Sequence, residues 1–170
     1  ETVETEGDTG AYSSIGVDSQ GAIHIAYRNT GENDLRYVTN ASGSWVSEVI
    51  DATGTSGSYA SLGIDSDDHV HIVHWEKEGD DLRYATNETG SWTVEIIDGV
   101  DPDTTAGERC RLTVANDDTI HIAYADATTK DLLYLKRESG VFAAPVVVDT
   151  GGPDGGVRTY ISIATDSAGN

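Results

Sequence analysis

The chain has 170 residues, of which 10 are lysine or arginine and 30 are aspartate or glutamate, so its formal net charge is −20. Such a charge excludes nucleic acid and anionic membrane surfaces as natural partners, because both carry the same sign. A hydrophobic fraction of 37% fits one domain with a modest core, and no run approaches the roughly 20 apolar residues of a membrane helix. We therefore expect neither nucleic-acid binding nor membrane insertion.

The first 51 residues contain the pattern that the rest of the chain repeats. Short runs rich in β-branched and aromatic residues alternate with Gly, Asn, Asp and Ser, which is typical of strands and turns. No run keeps an apolar stripe at helical spacing long enough for a helix of about 10 residues, which excludes helical repeats. We predict an outer strand at 1–6 and a four-stranded unit at 10–51, with strands at Ser14–Asp18, Ile23–Tyr27, Leu35–Thr39 and Trp45–Ile50.

The same unit then recurs twice and begins a third time. The second unit occupies 57–98, a more divergent third occupies 107–149, and 156–170 matches the first strand of a further unit. Three histidines hold equivalent positions in the complete units and are separated by 47 and then 50 residues: His24, His71 and His121. Periods of about 40–50 residues with four strands per unit are typical of β-propeller blades.

These features predict an all-β protein: a β-propeller of four-stranded antiparallel blades, with about three and a half blades in this chain. An immunoglobulin-like sandwich is the alternative, but it gives no reason for three similar four-stranded units. An outer strand at the start of the chain and a first strand at its end are what is expected when both chain ends contribute to one blade. Because known rings have roughly 4–8 blades, we expect residues 1–170 to be a single propeller domain or a fragment of one. Further blades, or assembly with other copies, would complete the ring.

One motif carries a resemblance to known repeats. Asp-Ser-x-Gly-x-x-His-Ile-Ala-Tyr, from Asp18 to Tyr27, followed by Asp-Leu-Arg-Tyr and Gly-Ser-Trp, resembles the blades of BNR-like and NHL-like β-propellers of bacterial and archaeal secreted or surface proteins. The resemblance implies an extracellular or cell-surface location. Such propellers include glycan-active enzymes, lectins and scaffolds, so it leaves the function open. The sialidase Asp box, Ser-x-Asp-x-Gly-x-x-Trp, is not matched, and no catalytic residue is assigned.

Side chains that recur from unit to unit are predicted to build the blades, because a catalytic group is needed only once. We expect the repeated histidines to be buried and hydrogen-bonded, and the repeated aspartates to accept backbone N–H bonds in turns. In the third unit Ala115 replaces the aspartate. The structural set is His24, His71, His121, Asp18, Asp65, Asp166, Trp45 and Trp92.

A second set lies just before the first strand of each unit. Tyr12, Tyr59 and Tyr160 align there, and Arg109 takes the place in the third unit. In a propeller this entry lies at one mouth of the central channel, where a tyrosine offers an apolar face and a hydroxyl group to a sugar or a protein. We predict ligand contact for these four residues, with mutual packing as the alternative.

No cofactor is predicted, and metal binding is predicted only weakly. Alternation along a strand places His69 and His71 on one face and His74 on the other, which argues against a three-histidine zinc site. Asp65 and Asp67 are the weak candidates for Ca²⁺, because the ligand spacing of an EF-hand loop is absent.

Together these observations predict a non-catalytic, extracellular binding or scaffolding propeller, with carbohydrate or a protein as its partner. The alternative is the propeller domain of a glycan-active enzyme, a polysaccharide lyase or a glycoside hydrolase, whose catalytic residues lie outside this segment.

Overall fold

The structure, a computed structural model, describes residues 2–5, 7–99, 105–151 and 160–166. Within these ranges it contains β-strands and no helix, so no described segment forms a helix that could cross a membrane. The strands are β1 Ala11–Val17, β2 Ile23–Asn29, β3 Asp34–Thr39, β4 Val46–Asp51, β5 Ser58–Ile64, β6 Val70–Glu76, β7 Asp81–Thr86, β8 Thr93–Asp98, β9 Ala106–Val114, β10 Ile120–Asp126, β11 Leu132–Glu138, β12 Val141–Phe142 and β13 Val146–Asp149.

The strands form three antiparallel sheets, each built from one repeated unit. Sheet 1 has the order β1-β2-β3-β4 and sheet 2 has the order β5-β6-β7-β8. Sheet 3 has the order β12-β11-β10-β9, and β13 also pairs with β11. The prediction of an all-β protein with one antiparallel sheet per unit is therefore confirmed, and none of the three sheets closes on itself.

Strand boundaries differ from the prediction in two places. The first strand starts at Ala11, three residues before the predicted Ser14, because it continues through an irregular pairing between Ala11 and Ser14. In the third unit the last strand is divided into β12 and β13, with Pro145 just before β13. Proline has no backbone N–H to donate to the ladder, which accounts for an interruption at this point.

The two predicted terminal strands remain predictions. No strand is assigned to residues 2–5 or 160–166, and the rest of the predicted segments 1–6 and 156–170 lies outside the described residues. Glu4 nevertheless contacts sheet 1, because its carboxylate accepts a hydrogen bond from Ser47 Oγ at 2.9 Å.

The three sheets stack face to face in chain order, and the first strand of each lies beside the first strand of the next: β1 beside β5, and β5 beside β9. The same hydrogen bond links both pairs. Ser14 Oγ accepts the backbone N–H of Leu62 at 2.9 Å, and Ser61 Oγ accepts that of Leu112 at 3.0 Å. Each interface thus repeats the other in its detail.

Two glycines permit this close approach. A Cβ atom on Gly63 would lie 2.6 Å from Leu112 Cδ2 and 2.7 Å from Val114 Cγ2. On the equivalent Gly16 it would lie 2.8 Å from Leu62 Cδ2. Any side chain at these positions would therefore force the sheets apart.

Two hydrophobic clusters fill the interfaces, one between sheets 1 and 2 and the other between sheets 2 and 3. Cys110 belongs to the second cluster and is fully buried. Burial raises the pKa of its thiol to about 12, so the thiolate is not formed near neutral pH and the residue acts as a small apolar side chain.

The close approach at Gly63 generates a first prediction. Gly63→Ala should lower the free energy of unfolding by about 1–3 kcal/mol, because the added methyl group overlaps side chains of sheet 3. Urea unfolding would measure the change. Ser91→Ala, at an exposed turn position, is the control and should change stability by less than about 0.5 kcal/mol. Equal effects of the two substitutions would contradict the packing described.

Candidate functional site

The repeated histidines connect the second and third strands of each sheet through a tyrosine. Nδ1 of His24 hydrogen-bonds the hydroxyl group of Tyr37. The equivalent pairs are His71 with Tyr84 at 2.6 Å and His121 with Tyr134 at 2.7 Å. His24 and His71 are buried and His121 is half-buried. The three units therefore use histidine in one common geometry.

The other ring nitrogen of these histidines faces the repeated aspartate. His24 Nε2 lies 3.0 Å from Asp18 Oδ2, and His71 Nε2 lies 3.2 Å from Asp65 Oδ2. In the third unit Ala115 leaves Nε2 of His121 buried and without a hydrogen-bond partner among the described residues. The hydrogen bond from His24 holds the pKa of Asp18 below its usual range.

The repeated aspartates also order the turns that follow the first strands. Asp18 Oδ1 accepts the backbone N–H groups of Gln20 at 2.9 Å and Ala22 at 2.7 Å. Asp65 Oδ1 does the same for Asp67 at 3.0 Å and His69 at 2.8 Å. Asp166 is within the described residues, but the turn expected after it at 167–170 is not.

The predicted tryptophans lie at the fourth strands. Trp92 packs edge-on against Tyr37 of the neighbouring sheet, with ring centroids 5.0 Å apart, and its Nε1 donates to Glu48 Oε1 at 2.8 Å. Phe142 makes the equivalent edge contact with Tyr84 at 5.0 Å. Trp45 is half-buried directly before β4. The aromatic side chain of one sheet thus covers the histidine-bound tyrosine of the sheet before it.

A second polar contact repeats between consecutive units, and the sequence pattern did not reveal it. An acid at the end of one unit meets the fifth residue of the second strand of the next unit. Asp98 accepts a hydrogen bond from Tyr124 Oη, and Asp51 Oδ2 lies 3.5 Å from His74 Nε2. Glu4 is at the equivalent position before the first unit and accepts from Tyr27 Oη at 3.4 Å.

His74 is the member of this set that differs from the tyrosines. It is fully buried, and burial lowers its pKa to about 4 despite the nearby carboxylate of Asp51. Arg83 pairs with Asp51 at 3.2 Å and with Asp81 at 3.1 Å. The histidine is therefore neutral at pH 7 in a group whose charges are already paired.

The predicted ligand residues Tyr12, Tyr59 and Arg109 form a row across the first strands of the three sheets. The Tyr12 and Tyr59 ring centroids are 4.8 Å apart, and the Arg109 guanidinium carbon is 6.0 Å from the Tyr59 ring centroid. A cavity of about 140 Å³ opens beside Tyr12, Tyr59 and Arg111. Tyr160, 92% exposed, has no ring contact with this row.

The backbone of each residue in the row is left-handed. The φ angles are 53° at Tyr12, 57° at Tyr59 and 58° at Arg109, each where strand pairing shifts register at a bulge. Bulky residues seldom adopt positive φ, and each such residue costs on the order of 1–3 kcal/mol. The surrounding sheets therefore hold three side chains in a strained but common orientation.

A sequence signal for these bulges exists in retrospect. A glycine stands two residues before each member of the row, at Gly10, Gly57 and Gly107, and all three have positive φ. A glycine repeated at the start of a predicted strand is typical of a bulge, and bulges redirect the side chains near them.

The weak Ca²⁺ candidates are placed differently from each other. Asp65, His71 and Glu88 each have a donor atom within 4.8 Å of those of the other two, and Asp67 is not in this group. Glu88 also forms a two-bond ion pair with Arg137 of sheet 3, at 2.7 and 2.6 Å. Arg137 lowers the pKa of Glu88, which is therefore ionised at neutral pH.

Comparisons with known proteins relate the chain to others through its fold. No family model matches the sequence, and no curated protein matches it. Among solved structures, one that is similar is the fucose lectin from Kordia zhangzhouensis in complex with methyl-fucoside. The two chains are 13% identical, the match covers 77% of this chain and 95% of the lectin, and the TM-score is 0.50. At this identity the likeness concerns the fold alone.

The buried His74 generates a prediction about pH. Its folded-state pKa of about 4 is below the unfolded value of about 6.5, so the unfolded chain takes up the proton first as the pH falls. Stability from this group is complete above about pH 6.5 and is lost between pH 6.5 and 4, by up to about 3 kcal/mol. His74→Tyr, which introduces the residue found at Tyr27 and Tyr124, should remove this part of the pH dependence.

Urea unfolding at several pH values would test this expectation. The reciprocal variant Tyr124→His, beside Asp98, should add pH dependence over the same range. If His74→Tyr leaves the slope between pH 6.5 and 4 unchanged, the assignment to His74 is wrong.

Proposed function

We propose that the protein is a non-catalytic, extracellular carbohydrate-binding module built as a β-propeller, and that the row of Tyr12, Tyr59 and Arg109 contacts the sugar. The observation that carries the proposal is the left-handed backbone shared by all three residues. This strain recurs at one position in three successive sheets and gives the three side chains one common orientation, and strained backbone of this kind is often found at binding sites.

The chemistry of the row suits a neutral sugar. Aromatic faces pack against the C–H groups of a pyranose ring, while tyrosine hydroxyls and a guanidinium group offer hydrogen bonds to its hydroxyl groups. The likeness to a lectin solved with methyl-fucoside supports this class of ligand, and methyl-fucoside is therefore the first probe to use.

The propeller part of the proposal rests on how the sheets are stacked. Both interfaces repeat the same serine-to-backbone bond, the same glycine contact and the same aromatic cover. The outer face of sheet 1 has the matching apolar side chains without cover: Ile15 is 65% exposed, whereas the equivalent Leu62 and Leu112 are 8% and 7% exposed. We propose that another sheet of the same kind packs on this face in the complete ring.

Extracellular placement is proposed from the resemblance of the motif at Asp18 to Tyr27 to secreted propellers. The acidic composition is compatible with it, since acidic side chains favour solubility.

Tyr12→Gly separates binding from stability. Glycine adopts a φ of 53° without strain, so the free energy of unfolding should change by less than about 1 kcal/mol. Loss of the ring, which is 45% exposed, should weaken binding of methyl-fucoside or another neutral glycan about tenfold. Calorimetric titration of a panel of neutral glycans would measure this.

Tyr160→Gly is the matched control, because it removes an exposed tyrosine outside the row and should leave the affinity unchanged. Absence of binding to every glycan, or equal affinity of wild type and Tyr12→Gly, would contradict the proposal. Release of a cleaved product from the panel would instead favour the enzyme alternative.

Ile15→Asp tests whether another sheet packs on sheet 1 in the complete ring. If another sheet covers the face of sheet 1, the buried carboxylate should cost at least about 2 kcal/mol in the assembled protein. Val49→Asp, which adds the same charge at a residue 49% exposed on β4, should cost less than about 0.5 kcal/mol. Similar small losses for both variants in thermal unfolding would argue against a covered face.

A further inference from the structure

We propose that Asp65, His69, His71 and Glu88 form a binding site for a divalent transition metal ion, and that Zn²⁺ is the ion they fit. All four belong to the unit that forms sheet 2. Asp65 and His69 lie in the turn between β5 and β6, His71 lies in β6, and Glu88 lies in the turn between β7 and β8. The topology of the hairpins thus brings together residues from two turns at one end of the sheet.

Distances between the donor atoms are close to those of a metal site. Asp65 Oδ2 lies 3.0 Å from His69 Nδ1 and 3.2 Å from His71 Nε2. With zinc–ligand bonds of about 2.0–2.1 Å, tetrahedral geometry places donor atoms about 3.3–3.4 Å apart. Asp65, His71 and Glu88 each have a donor atom within 4.8 Å of those of the other two, and His69 is not in this group. The Glu88 and His69 side chains must therefore both adjust to reach the ion.

The groups behind the donors are arranged as they are behind known metal ligands. His71 Nδ1 contacts Tyr84 Oη at 2.6 Å and Thr86 Oγ1 at 3.3 Å, so the tautomer with its proton on Nδ1 leaves the Nε2 lone pair for a metal. Backbone N–H groups hold the second oxygen of Asp65.

Arg137 is a cation beside these donors, and it is compatible with the ion. Its two bonds orient the Glu88 carboxylate, and each carboxylate oxygen retains a further lone pair. Two carboxylates and one guanidinium group leave one net negative charge near the ion, so a divalent cation is attracted to the site. Because Arg137 comes from β11, the site lies at the interface of sheets 2 and 3.

Comparison of the three units shows that the fold does not require these donors. Sheet 1 has the same Asp–His–Tyr arrangement but has Ala22 in place of His69 and Ala41 in place of Glu88. Sheet 3 has Ala115 in place of Asp65. Only sheet 2 of the three therefore combines two carboxylates with two histidines, and a group that occurs once in a repeat is the kind that serves a function.

The internal repeat also supplies variants that should fold. His69→Ala and Glu88→Ala each introduce the residue that sheet 1 already has. Calorimetric titration of chelator-treated protein with ZnCl₂ should give one saturable site per chain in the wild type. Affinity should fall at least about tenfold in either variant. Zn²⁺ should raise the thermal unfolding temperature of the wild type but not of His69→Ala.

Glu138→Ala is the control, because Glu138 is the equivalent acid of sheet 3 and its loss changes the net charge by the same amount. It should bind Zn²⁺ as the wild type does. Co²⁺ should give the visible absorption of a tetrahedral complex in the wild type and not in His69→Ala. Absence of saturable binding would overturn the proposal. Binding that is unchanged in His69→Ala and Glu88→Ala would also overturn it, because the ion would then be bound by surface acids elsewhere.

Discussion

The close approach of the first strands at the two sheet interfaces is the constraint on which the rest of the structure depends. A serine hydroxyl at Ser14 or Ser61 bonds the neighbouring backbone, and a glycine at Gly16 or Gly63 leaves room for the neighbouring side chains. Since protein interiors tolerate neither overlap nor voids, this contact fixes the distance between sheets. The aromatic contacts at the fourth strands and the row of bulged residues at the first strands lie across the same interfaces.

The chemistry of the chain lies where the units differ from one another. His69 occurs in the second unit alone among the three complete units, because Ala22 and Thr119 hold its position in the other two, and it adds a second imidazole beside Asp65. His74 replaces a tyrosine and brings a titratable group into a buried contact. Repeated residues therefore define the sheets and the row at the first strands, while single departures are where metal binding and pH dependence are to be sought.

The sequence was sufficient to predict the sheets because the repeat period and strand-forming runs are local properties. It also placed His74 on the opposite face from His69 and His71, and in the structure His74 meets Asp51 while the other two meet Asp65. The association of Glu88 with these residues could not be predicted, because it requires the register of three strands. Nor could the left-handed backbone at Tyr12 and Tyr59, since tyrosine itself does not favour it.

The net charge of −20 is compatible with a stable fold because many of its carboxylates have a structural use. Asp68 accepts two hydrogen bonds from Ser19 of the neighbouring turn, and Asp118 accepts two from Ser66 in the same way. A hydrogen bond from His24 holds the pKa of Asp18 below its usual range. Burial raises the pKa values of Asp51 and Asp65, but hydrogen bonds and electrostatic attraction together outweigh it and hold both values below their usual range.

A carboxyl group whose pKa is lower in the folded state favours folding at neutral pH, which offsets part of the mutual repulsion of the acids. The acids that link neighbouring turns and sheets act as hydrogen-bond acceptors. Lysine could not replace them, because its ammonium group donates hydrogen bonds and accepts none. The acidic composition is thus in part a consequence of how the sheets are joined. This explains why the acids are spread through the units and are not collected in one tail.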